Sequence, residues 1–379
     1  MIINQKKIKV ASPLIDFREI NAVKKVLLSG NYSSGKNVKK FESKFAQYIG
    51  TKYACACSNG TSALFLPLNA FNIKEGDEVI VPPLSFFSTI TAVISTGATP
   101  IFSEIDSDDL CISPTSFKKI ITKKTKAIIV VHLYGCPAKM KEINKIAKKN
   151  NIKVIEDCAQ AHGSMINKKK VGSFGHAGSF SFYATKHMTT GEGGMIVSDN
   201  KKFIDKCKKL RNHGLVNNNT HKFLGYNNRM NEIEASMGLI QLNKLERFNN
   251  LRIKNSNYII RKLSNIDFLR VVKPNNYKLT HTYFWLPFFI NPKIKYGVKK
   301  FLKYLKKNKI EFRQRYKEPL YKQPILKTLG FNIKKYNYPI AEKYSGSVIG
   351  LPNHPRLKIT DLDYLINKIK DYQYYLYSK

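Results

Sequence analysis

The sequence predicts an α/β protein built on a mostly parallel β-sheet, with a smaller α+β domain after it. Short apolar runs alternate with amphipathic segments between residues 78 and 157, and this alternation stops after residue 230. Strand, helix and strand joined by short connections are typical of βαβ units whose sheet is covered on both faces. We therefore predict a large domain at residues 1–245 and a small C-terminal domain at residues 246–379.

The apolar runs have the length and the flanking residues of strands. They are EVIVP (78–82), TPIFSEI (99–105), KAIIVVHLYG (126–135) and IKVIED (152–157). Between the last two, AKMKEINKIAKKN places Met140, Ile143 and Ala147 on one helical face. Sheets of this kind bind ligands at the carboxyl ends of their strands. Asp157 stands at one such end.

Helical signals dominate both ends of the chain. Near the start, Asp16 is a candidate N-cap and Gly30 a stop signal for a helix. The stretch from 231 to 255 reads as one long helix, and a basic helix follows within residues 293–309. The apolar run TYFWLPFFI (282–290) is broken by a proline and is too short to span a membrane, which favours a buried strand.

The basic charge of the chain has two interpretations. The formal net charge is +39, and 55 of the 65 basic residues are lysines scattered through nearly every segment. Such scattering indicates solvated surface lysines, whereas a nucleic-acid interface clusters its basic residues. The alternative is a module that binds nucleic acid or an anionic membrane surface through the basic helix, and it requires a steeply salt-dependent association.

Cysteine usage and the first residues favour a cytoplasmic protein. The six cysteines show no paired CxxC spacing and no accompanying histidine cluster, so we expect reduced thiols and no metal site (Cys55, Cys57, Cys111, Cys136, Cys158 and Cys207). The opening stretch MIINQKKIKVASPL lacks the apolar core of a signal peptide. No segment has the length of a transmembrane helix, so we expect no stable membrane insertion.

Two small-residue turns could bind phosphate. GNYSSGKN (30–37) nearly matches a P-loop, but it has Asn37 where Ser or Thr must bind Mg²⁺, and a helix rather than a strand precedes it. CSNGTSALFL (57–66) opens a helix, and the backbone amides of Gly60 and Thr61 would form an anion site there. The alternative for this second turn is an ordinary helix start.

Four side chains in chain order suggest a cofactor site. Phe86 follows a strand and is either a core residue or a ring that stacks on a planar cofactor. Asp157, three residues before Gln160, either caps a turn or pairs with a protonated ring nitrogen. Lys186 is the single lysine between residues 171 and 200, and a glycine cluster follows it. A desolvated lysine can form a Schiff base, so the set indicates a pyridoxal phosphate (PLP) site.

The chain resembles the DegT/StrS-type nucleotide-sugar aminotransferases, which have the fold-type I aminotransferase architecture. The resemblance covers nearly the whole chain, and its main motifs are SNGTSAL, IEDCAQAHG, SFYATKHMTTGEGG, RNHG (211–214), GYNNRMNEIEA (225–235) and GLPNHP (350–355). The segment with the near P-loop is also an element of this family. Relatives that dehydrate sugars carry His where this chain has Lys186, so the resemblance favours transamination.

The resemblance implies a role for each candidate residue. Lys186 would bind the cofactor and move the proton, and Asp157 would pair with the pyridine nitrogen. The other implied cofactor contacts are stacking by Phe86, a hydrogen bond from Gln160 to the phenolic oxygen, and phosphate contacts from Gly60, Thr61, Ser181 and, across a homodimer interface, Asn227. The substrates would be L-glutamate and a nucleotide-diphospho-keto-sugar, with a 4-keto-6-deoxyhexose favoured by the GEGG form at 191–194.

The sugar site departs from the family pattern. In RQRYKEPLYKQP (313–324), where members have His after Pro-Leu, this chain has Tyr321, and we assign Arg315, Tyr316 and Tyr321 to substrate binding. The product would be an aminosugar for surface glycan synthesis. An inactive PLP-binding regulator with the same motifs is the other alternative.

Overall fold

The computed structural model describes residues 7–217, 219–273, 278–332 and 336–378. The first six residues of the opening stretch MIINQKKIKVASPL lie outside the described residues. Among the described residues, no helix combines the length and apolar character needed to cross a bilayer. The α-helices are α1 (Phe17–Ser29), α2 (Lys36–Ile49), α3 (Gly60–Ala70), α4 (Ser88–Ile94), α5 (Pro114–Lys119), α6 (Met140–Lys149), α7 (Lys201–Leu210), α8 (Glu232–Lys262), α9 (Gly297–Lys307), α10 (Pro324–Thr328), α11 (Pro339–Tyr344) and α12 (Ile359–Tyr377).

The strands of the described residues lie in one large and three small sheets. They are β1 (Tyr53–Cys57), β2 (Glu78–Val81), β3 (Thr99–Phe102), β4 (Thr125–Val131), β5 (Lys153–Asp157), β6 (Met165–Ile166), β7 (Lys169–Lys170), β8 (Ala177–Ser181), β9 (Gly194–Ser198), β10 (Leu215–Asn217), β11 (Thr220–His221), β12 (Leu269–Val271), β13 (Leu279–Thr280), β14 (Leu286–Ile290) and β15 (Val348–Leu351). The four predicted strands correspond to β2, β3, β4 and β5, and TYFWLPFFI contains β14.

The central sheet confirms the predicted fold class. Among the described residues it has seven strands in the order β1-β9-β8-β5-β4-β2-β3. Neighbours from β8 to β3 pair in parallel, and β9 is antiparallel to both β8 and β1. The predicted helix α6 buries Met140, Ile143 and Ala147. The carboxyl ends of β4, β5 and β8 therefore meet at one edge of the sheet.

A second core belongs mainly to the C-terminal part of the chain. The antiparallel sheet β12-β14-β15 packs with α9, α12 and the end of α8. Ile8 joins this core and is hydrogen-bonded to the chain after α9. The predicted boundary between residues 245 and 246 falls inside the continuous helix α8, and the division into two domains stays a prediction.

The first helix has the predicted ends but an unexpected interior. Asp16 caps α1 in a capping box with Glu19, and Gly30 ends it in the left-handed conformation. Glu19 is buried and accepts hydrogen bonds from Lys244 at 2.5 and 2.6 Å. Ile20 and Leu27, by contrast, are 62% and 50% exposed. A buried ion pair therefore joins α1 to α8, and much of the helix's apolar surface faces outward.

The near P-loop does not present free amides to a phosphate. The carboxylate of Glu232 accepts hydrogen bonds from the backbone N–H groups of Gly35, Asn37 and Val38, each at 2.9 Å. A protein carboxylate thus takes the place that an anion would need at the start of α2. This supports the interpretation of GNYSSGKN as a structural element.

A buried carboxylate fixes the end of β5. Glu156 is fully buried and accepts backbone N–H bonds from Gly172, Phe174 and Gly175 at 2.6 to 2.8 Å. The fourth donor is His132, whose Nε2 lies 3.0 Å from the carboxylate. Its Nδ1 accepts a hydrogen bond from the backbone amide of residue 138, so the ring proton is on Nε2. These bonds tie the loop 172–175 and the end of β4 to the strand that ends in Asp157.

We expect Glu156→Ala to lower the free energy of unfolding by at least about 3 kcal/mol, because it leaves several buried donors without an acceptor. Urea unfolding followed by circular dichroism measures this loss. The matched control is Glu142→Ala, which removes an exposed carboxylate from α6 and should change stability by less than about 0.5 kcal/mol. Equal unfolding midpoints for the two variants would contradict the assignment.

Candidate functional site

The candidate site lies where β5, β8 and α3 meet. β5 ends at Asp157, which pairs with Ser179 of β8, and β8 continues two residues further to Ser181 at the carboxyl edge of the sheet. Gly60 begins α3, and a Cβ atom there would lie 2.7 Å from Cβ of Ser181. The absence of a side chain at Gly60 is therefore what lets the start of the helix touch the end of the strand. The structure thus brings three predicted cofactor contacts together.

The start of α3 offers unsatisfied hydrogen-bond donors. Asn59 caps the helix by accepting from the amide of Ser62 at 2.9 Å. As the first two residues of the helix, Gly60 and Thr61 have no intrahelical acceptor for their amides. Within the described residues, no other acceptor bonds these amides or the hydroxyl of Thr61. These donors and the helix dipole suit an anion such as a phosphate.

Asp157 is a buried carboxylate that the protein only partly satisfies. Its side chain is 7% exposed, and one carboxylate oxygen accepts the amide of Ala159 at 3.0 Å. Burial raises the pKa of Asp157, while the amide of Ala159 and the positive charge of Lys186 oppose that rise. A cationic group bound beside Asp157 would stabilise its charged form.

Lys186 lies in a turn after β8, and its pKa is lowered to about 8. Its amide bonds the carbonyl of Tyr183 at 2.9 Å, and its Nζ lies 4.9 Å from the ring centre of Phe284. Burial is the main cause of the lowered pKa, the charge of Arg315 adds to it, and the charge of Asp157 opposes it. About a tenth of the Lys186 side chains are therefore the neutral, nucleophilic amine at pH 7, far more than for a lysine with its ordinary pKa.

Gln160 is held by two partners, one of which is a predicted substrate residue. Its carbonyl oxygen accepts the amide of Tyr134 at 3.0 Å, and its amide nitrogen donates to the hydroxyl of Tyr316 at 2.8 Å. Tyr316 is thus joined to the candidate cofactor site. Arg315 is exposed and stacks over Trp285, with 5.9 Å between its guanidinium carbon and the ring centre.

The structure does not bring Tyr321 to this site. Its side chain is 1% exposed and belongs to the core beneath β3, in edge contact with Phe102. Its hydroxyl donates to Glu342 at 2.9 Å. Among its described contacts none is with Lys186, Asp157 or Gln160. The assignment of Tyr321 to substrate binding stays a prediction, and the structure places this side chain in the core rather than beside Lys186.

Two predicted cofactor contacts are exposed. Phe86 lies two residues before the start of α4 and is 57% exposed, so its ring is available to a ligand. Asn227 is also exposed, although its neighbour Asn228 packs on the start of α3, where its side-chain oxygen accepts from Ser62 at 3.1 Å. Among the described residues the side-chain amide of Asn227 has no hydrogen-bond partner, and the residue beside it contacts the anion-binding turn.

Two residues of the site were not predicted from the sequence. Tyr134 has φ of 56° and is buried, and its backbone bonds both Gln160 and Phe284. Phe284 lies under the ammonium of Lys186. A positive φ on an aromatic residue is strained and is typical of functional sites. No local pattern in the sequence reveals this backbone conformation, and Phe284 is distant along the chain from the other site residues.

The described residues contain two groups of side chains whose atoms are close enough to share a metal ion. His132, Glu156 and Cys158 form one group, but the hydrogen bonds described above already occupy the histidine and the carboxylate. Asp106 and two neighbouring aspartates form the other, beside the ammonium of Lys139 at 2.6 Å. The expectation that the chain needs no metal stays a prediction.

Comparisons with known proteins agree on one family. The model of the DegT/DnrJ/EryC1/StrS aminotransferase family matches residues 13–370. The chain is 37% identical to the GDP-perosamine synthase of Escherichia coli O157:H7, over 97% of this chain and 99% of that protein. It is 36% identical to the dTDP-3-amino-3,6-dideoxy-alpha-D-galactopyranose transaminase of Aneurinibacillus thermoaerophilus, over 96% and 99%. A Streptococcus pneumoniae protein, described as a sugar aminotransferase and solved in its PLP form, superimposes with a TM-score of 0.91 at 25% identity, over 98% and 100%.

We expect Lys186 to react with an amine-directed anhydride at a rate that rises with pH around a midpoint near 8. Arg315→Gln should move this midpoint to higher pH because a repelling positive charge is lost, and Asp157→Asn should move it to lower pH because a stabilising negative charge is lost. Mass spectrometry of the Lys186 peptide from dialysed protein gives the rates.

The matched control is Arg247→Gln, which removes an exposed arginine of α8 and should leave the midpoint unchanged. Shifts of the same sign in the Arg315 and Asp157 variants would contradict the opposing effects of these two charges.

Proposed function

We propose a specific reaction for this chain, which belongs to the DegT/DnrJ/EryC1/StrS aminotransferase family and is a sugar aminotransferase. In this reaction the chain binds PLP and transfers the amino group of L-glutamate to the keto group of a nucleotide-diphospho-sugar. The observation that carries the proposal is Lys186, with its lowered pKa, beside the buried Asp157. Glutamate leaves as 2-oxoglutarate before the sugar reacts, so the keto group gains the amine that glutamate loses.

The residues of the site fit PLP. The free donors of Gly60 and Thr61, together with Ser181, suit its phosphate. The exposed ring of Phe86 suits stacking on its plane, and Gln160 suits a hydrogen bond to its phenolic oxygen. The chain thus offers complementary groups for the charge, the shape and the polar atoms of the cofactor.

Asp157 would keep the pyridine nitrogen of the cofactor protonated. When bound, PLP supplies an electron-withdrawing ring that stabilises negative charge on the carbon attached to the nitrogen. Within the described part of the chain the amide of Ala159 is the one hydrogen-bond donor to this buried carboxylate, and burial raises the pKa of Asp157. A positive charge held against Asp157 is therefore favourable for both partners in this low-dielectric position.

Lys186 would act as the amine that binds the cofactor and as the base and acid that moves the proton. A group with a pKa near the working pH can both accept and return a proton during one turnover. The pKa of about 8 meets this condition. The hydrogen-bonded turn from Tyr183 and the ring of Phe284 hold the amine beside the sheet edge, which limits the positions it can reach.

The amino-group acceptor that we propose is a nucleotide-linked 4-keto-6-deoxyhexose. The GEGG form at residues 191–194 favours amination at C-4. Two similar proteins are named for a GDP-linked and a dTDP-linked aminosugar, which supports a nucleotide-linked substrate and leaves the nucleotide open. A panel of GDP-, dTDP- and UDP-linked 4-keto and 3-keto sugars, with mass spectrometry of the products, tests this choice. Amination of 3-keto sugars alone would contradict it.

We place this reaction in the cytoplasm because all six cysteines are buried and unpaired, which suits a reducing compartment. An aminosugar made there could be built into surface glycans.

A purely regulatory role would not need the balance of charges that lowers the pKa of Lys186. That alternative is tested by comparing the Lys186→Ala variant with the wild type in an assay of amino transfer and of biological function.

We also propose that the active form is a homodimer in which Asn227 binds the phosphate of the neighbouring subunit's cofactor. Asn227 is exposed. Helix α1 exposes Phe17, Ile20, Leu27 and Leu28 at 50% or more of their surface. An exposed apolar stripe of this kind indicates a protein interface. A second copy of the chain would cover the stripe and complete the site.

We expect purified protein with PLP to absorb visible light, and L-glutamate should remove this band because the amino group is transferred to the cofactor. Lys186→Ala should lack the visible band, since it has no amine to bind the cofactor. Lys202→Ala, which removes an exposed lysine of α7, is the matched control and should behave as the wild type. A protein that stays colourless with PLP, or a Lys186→Ala variant with the wild-type spectrum, would overturn the proposed function.

Subunit mixing tests the position of Asn227. Lys186→Ala and Asn227→Ala homodimers should each have low activity. When they are dissociated and re-formed together, about a quarter of the wild-type activity should return, because half of the dimers are hybrids and each hybrid contains one complete site. Size-exclusion chromatography confirms the dimer. If Asn227 served its own subunit instead, no hybrid would contain a complete site and activity would stay low.

A further inference from the structure

The motif GLPNHP (350–355) is bonded to the backbone beside the candidate site. Its asparagine, Asn353, is fully buried, and its side-chain nitrogen donates to the carbonyl of Tyr283 at 2.8 Å. The next residue is Phe284, whose ring lies beneath the ammonium of Lys186. The motif therefore holds the chain next to the ring that contacts the reactive lysine.

A buried arginine of α8 holds the next carbonyl of the same segment. Arg252 is 4% exposed, and its Nη1 donates to the carbonyl of Phe284 at 3.3 Å and also to the carbonyl of Asn353. Two successive carbonyls, those of Tyr283 and Phe284, thus accept hydrogen bonds from side chains. The two donor residues are also bonded to each other. We call Arg252 and Asn353 the carbonyl clamp.

The backbone of residues 283–284 needs such donors because it departs from the regular pattern of a strand. Tyr283 has a φ of 48°, a left-handed conformation that is strained for an aromatic residue. Strand β14 begins at Leu286, so the two carbonyls lie outside it. The amide of Phe284 donates to the carbonyl of Tyr134 at 2.8 Å. The carbonyl clamp and Tyr134 therefore hold the backbone of Phe284 through different groups.

Packing alone does not explain an arginine at position 252. The arginines in the described ion pairs are Arg18 and Arg211, so Arg252 has no carboxylate partner among them. Its Nε has no hydrogen-bond partner within the described residues, and burial lowers the pKa of Arg252 to about 10. A buried charge without an opposite charge costs free energy that an apolar side chain of similar size would not. The hydrogen bonds to the two carbonyls are what the guanidinium adds.

We propose that Arg252 and Asn353 are positioning residues for amino transfer, because the carbonyl clamp holds the ring of Phe284 beneath Lys186 and so keeps water from the amine. The inference rests on the proposed function, in which Lys186 is the reacting amine. Neither residue of the clamp contacts Lys186 among the described contacts, so both act through Phe284. Burial is the main cause of the lowered pKa of Lys186, which makes that pKa a direct measure of the clamp.

The labelling midpoint of Lys186 tests the carbonyl clamp. Arg252→Met nearly keeps the volume of the side chain and removes both hydrogen bonds, so the ring of Phe284 should shift and admit water. The midpoint for reaction of Lys186 with the anhydride should then rise from near 8 toward the ordinary lysine value of 10.5. We expect a rise of about one pH unit, measured by mass spectrometry on dialysed protein.

Three further variants separate positioning from stability. Arg252→Lys keeps a cationic donor and should have a midpoint between those of Arg252→Met and the wild type. Asn353→Leu removes the donor to Tyr283 and should also raise the midpoint, and it carries the test if Arg252→Met does not fold. Leu365→Ala is the matched control for lost stability, because Leu365 is 1% exposed in the C-terminal core.

The control should lower the unfolding temperature and leave the midpoint of Lys186 unchanged. An unchanged or lower midpoint in the folded clamp variants would overturn the proposal. So would an equal rise in Leu365→Ala, since the rise would then report lost stability alone.

The glutamate half-reaction separates this inference from the proposed function. In PLP-loaded protein, Arg252→Met should slow the bleaching of the visible band about tenfold at saturating glutamate, because the amine is held less firmly. The glutamate concentration for half-maximal rate should stay within about twofold of the wild type. If the band forms and bleaches but the labelling midpoint does not move, the positioning proposal alone fails. If no band forms in the wild type, the proposed function fails, and the role of the clamp in amino transfer fails with it.

Discussion

Two adjacent buried carboxylates at the end of β5 are the constraint on which the site depends. Because successive side chains of a strand point to opposite faces, Glu156 and Asp157 meet different surroundings. Glu156 has four donors and joins the strand to two loops. Asp157 has one. A buried charge without partners is costly, so Asp157 needs a cation, whereas Glu156 provides the rigid frame that keeps Asp157 in place.

The same balance sets the chemistry of Lys186. Burial and the charge of Arg315 favour the neutral amine, and the charge of Asp157 favours the ammonium. The outcome, a pKa near 8, depends on both neighbours and on the depth of the turn after β8. A cation that pairs with Asp157 would reduce the stabilisation of the ammonium and make the amine more nucleophilic. Occupation of the site and activation of the lysine are therefore linked through one carboxylate.

Sequence patterns predicted the central sheet because strands buried on both faces read as apolar runs, and they located Asp157 and Lys186 because such strands end at the binding edge. The patterns failed where packing decides. The interior of α1 holds the Glu19–Lys244 pair while Ile20 faces outward, which no apolar periodicity indicates. The position of Tyr321 in the core beneath β3 is likewise visible only in the fold.

Net charge illustrates the same limit. A value of +39 spread over the chain is compatible with solvated lysines, with a polyanion surface or with a binding groove, because composition carries no information about position. The fold supplies that information by bringing Lys7, α9 and the segment after it around one cavity with a single acidic residue in its described lining. Lysines scattered over a surface repel weakly through water and salt, whereas lysines that converge on a cavity raise its potential together. Arg315 lines this cavity and also lowers the pKa of Lys186, so the position of a positive charge, rather than the total charge, decides its effect on the candidate site.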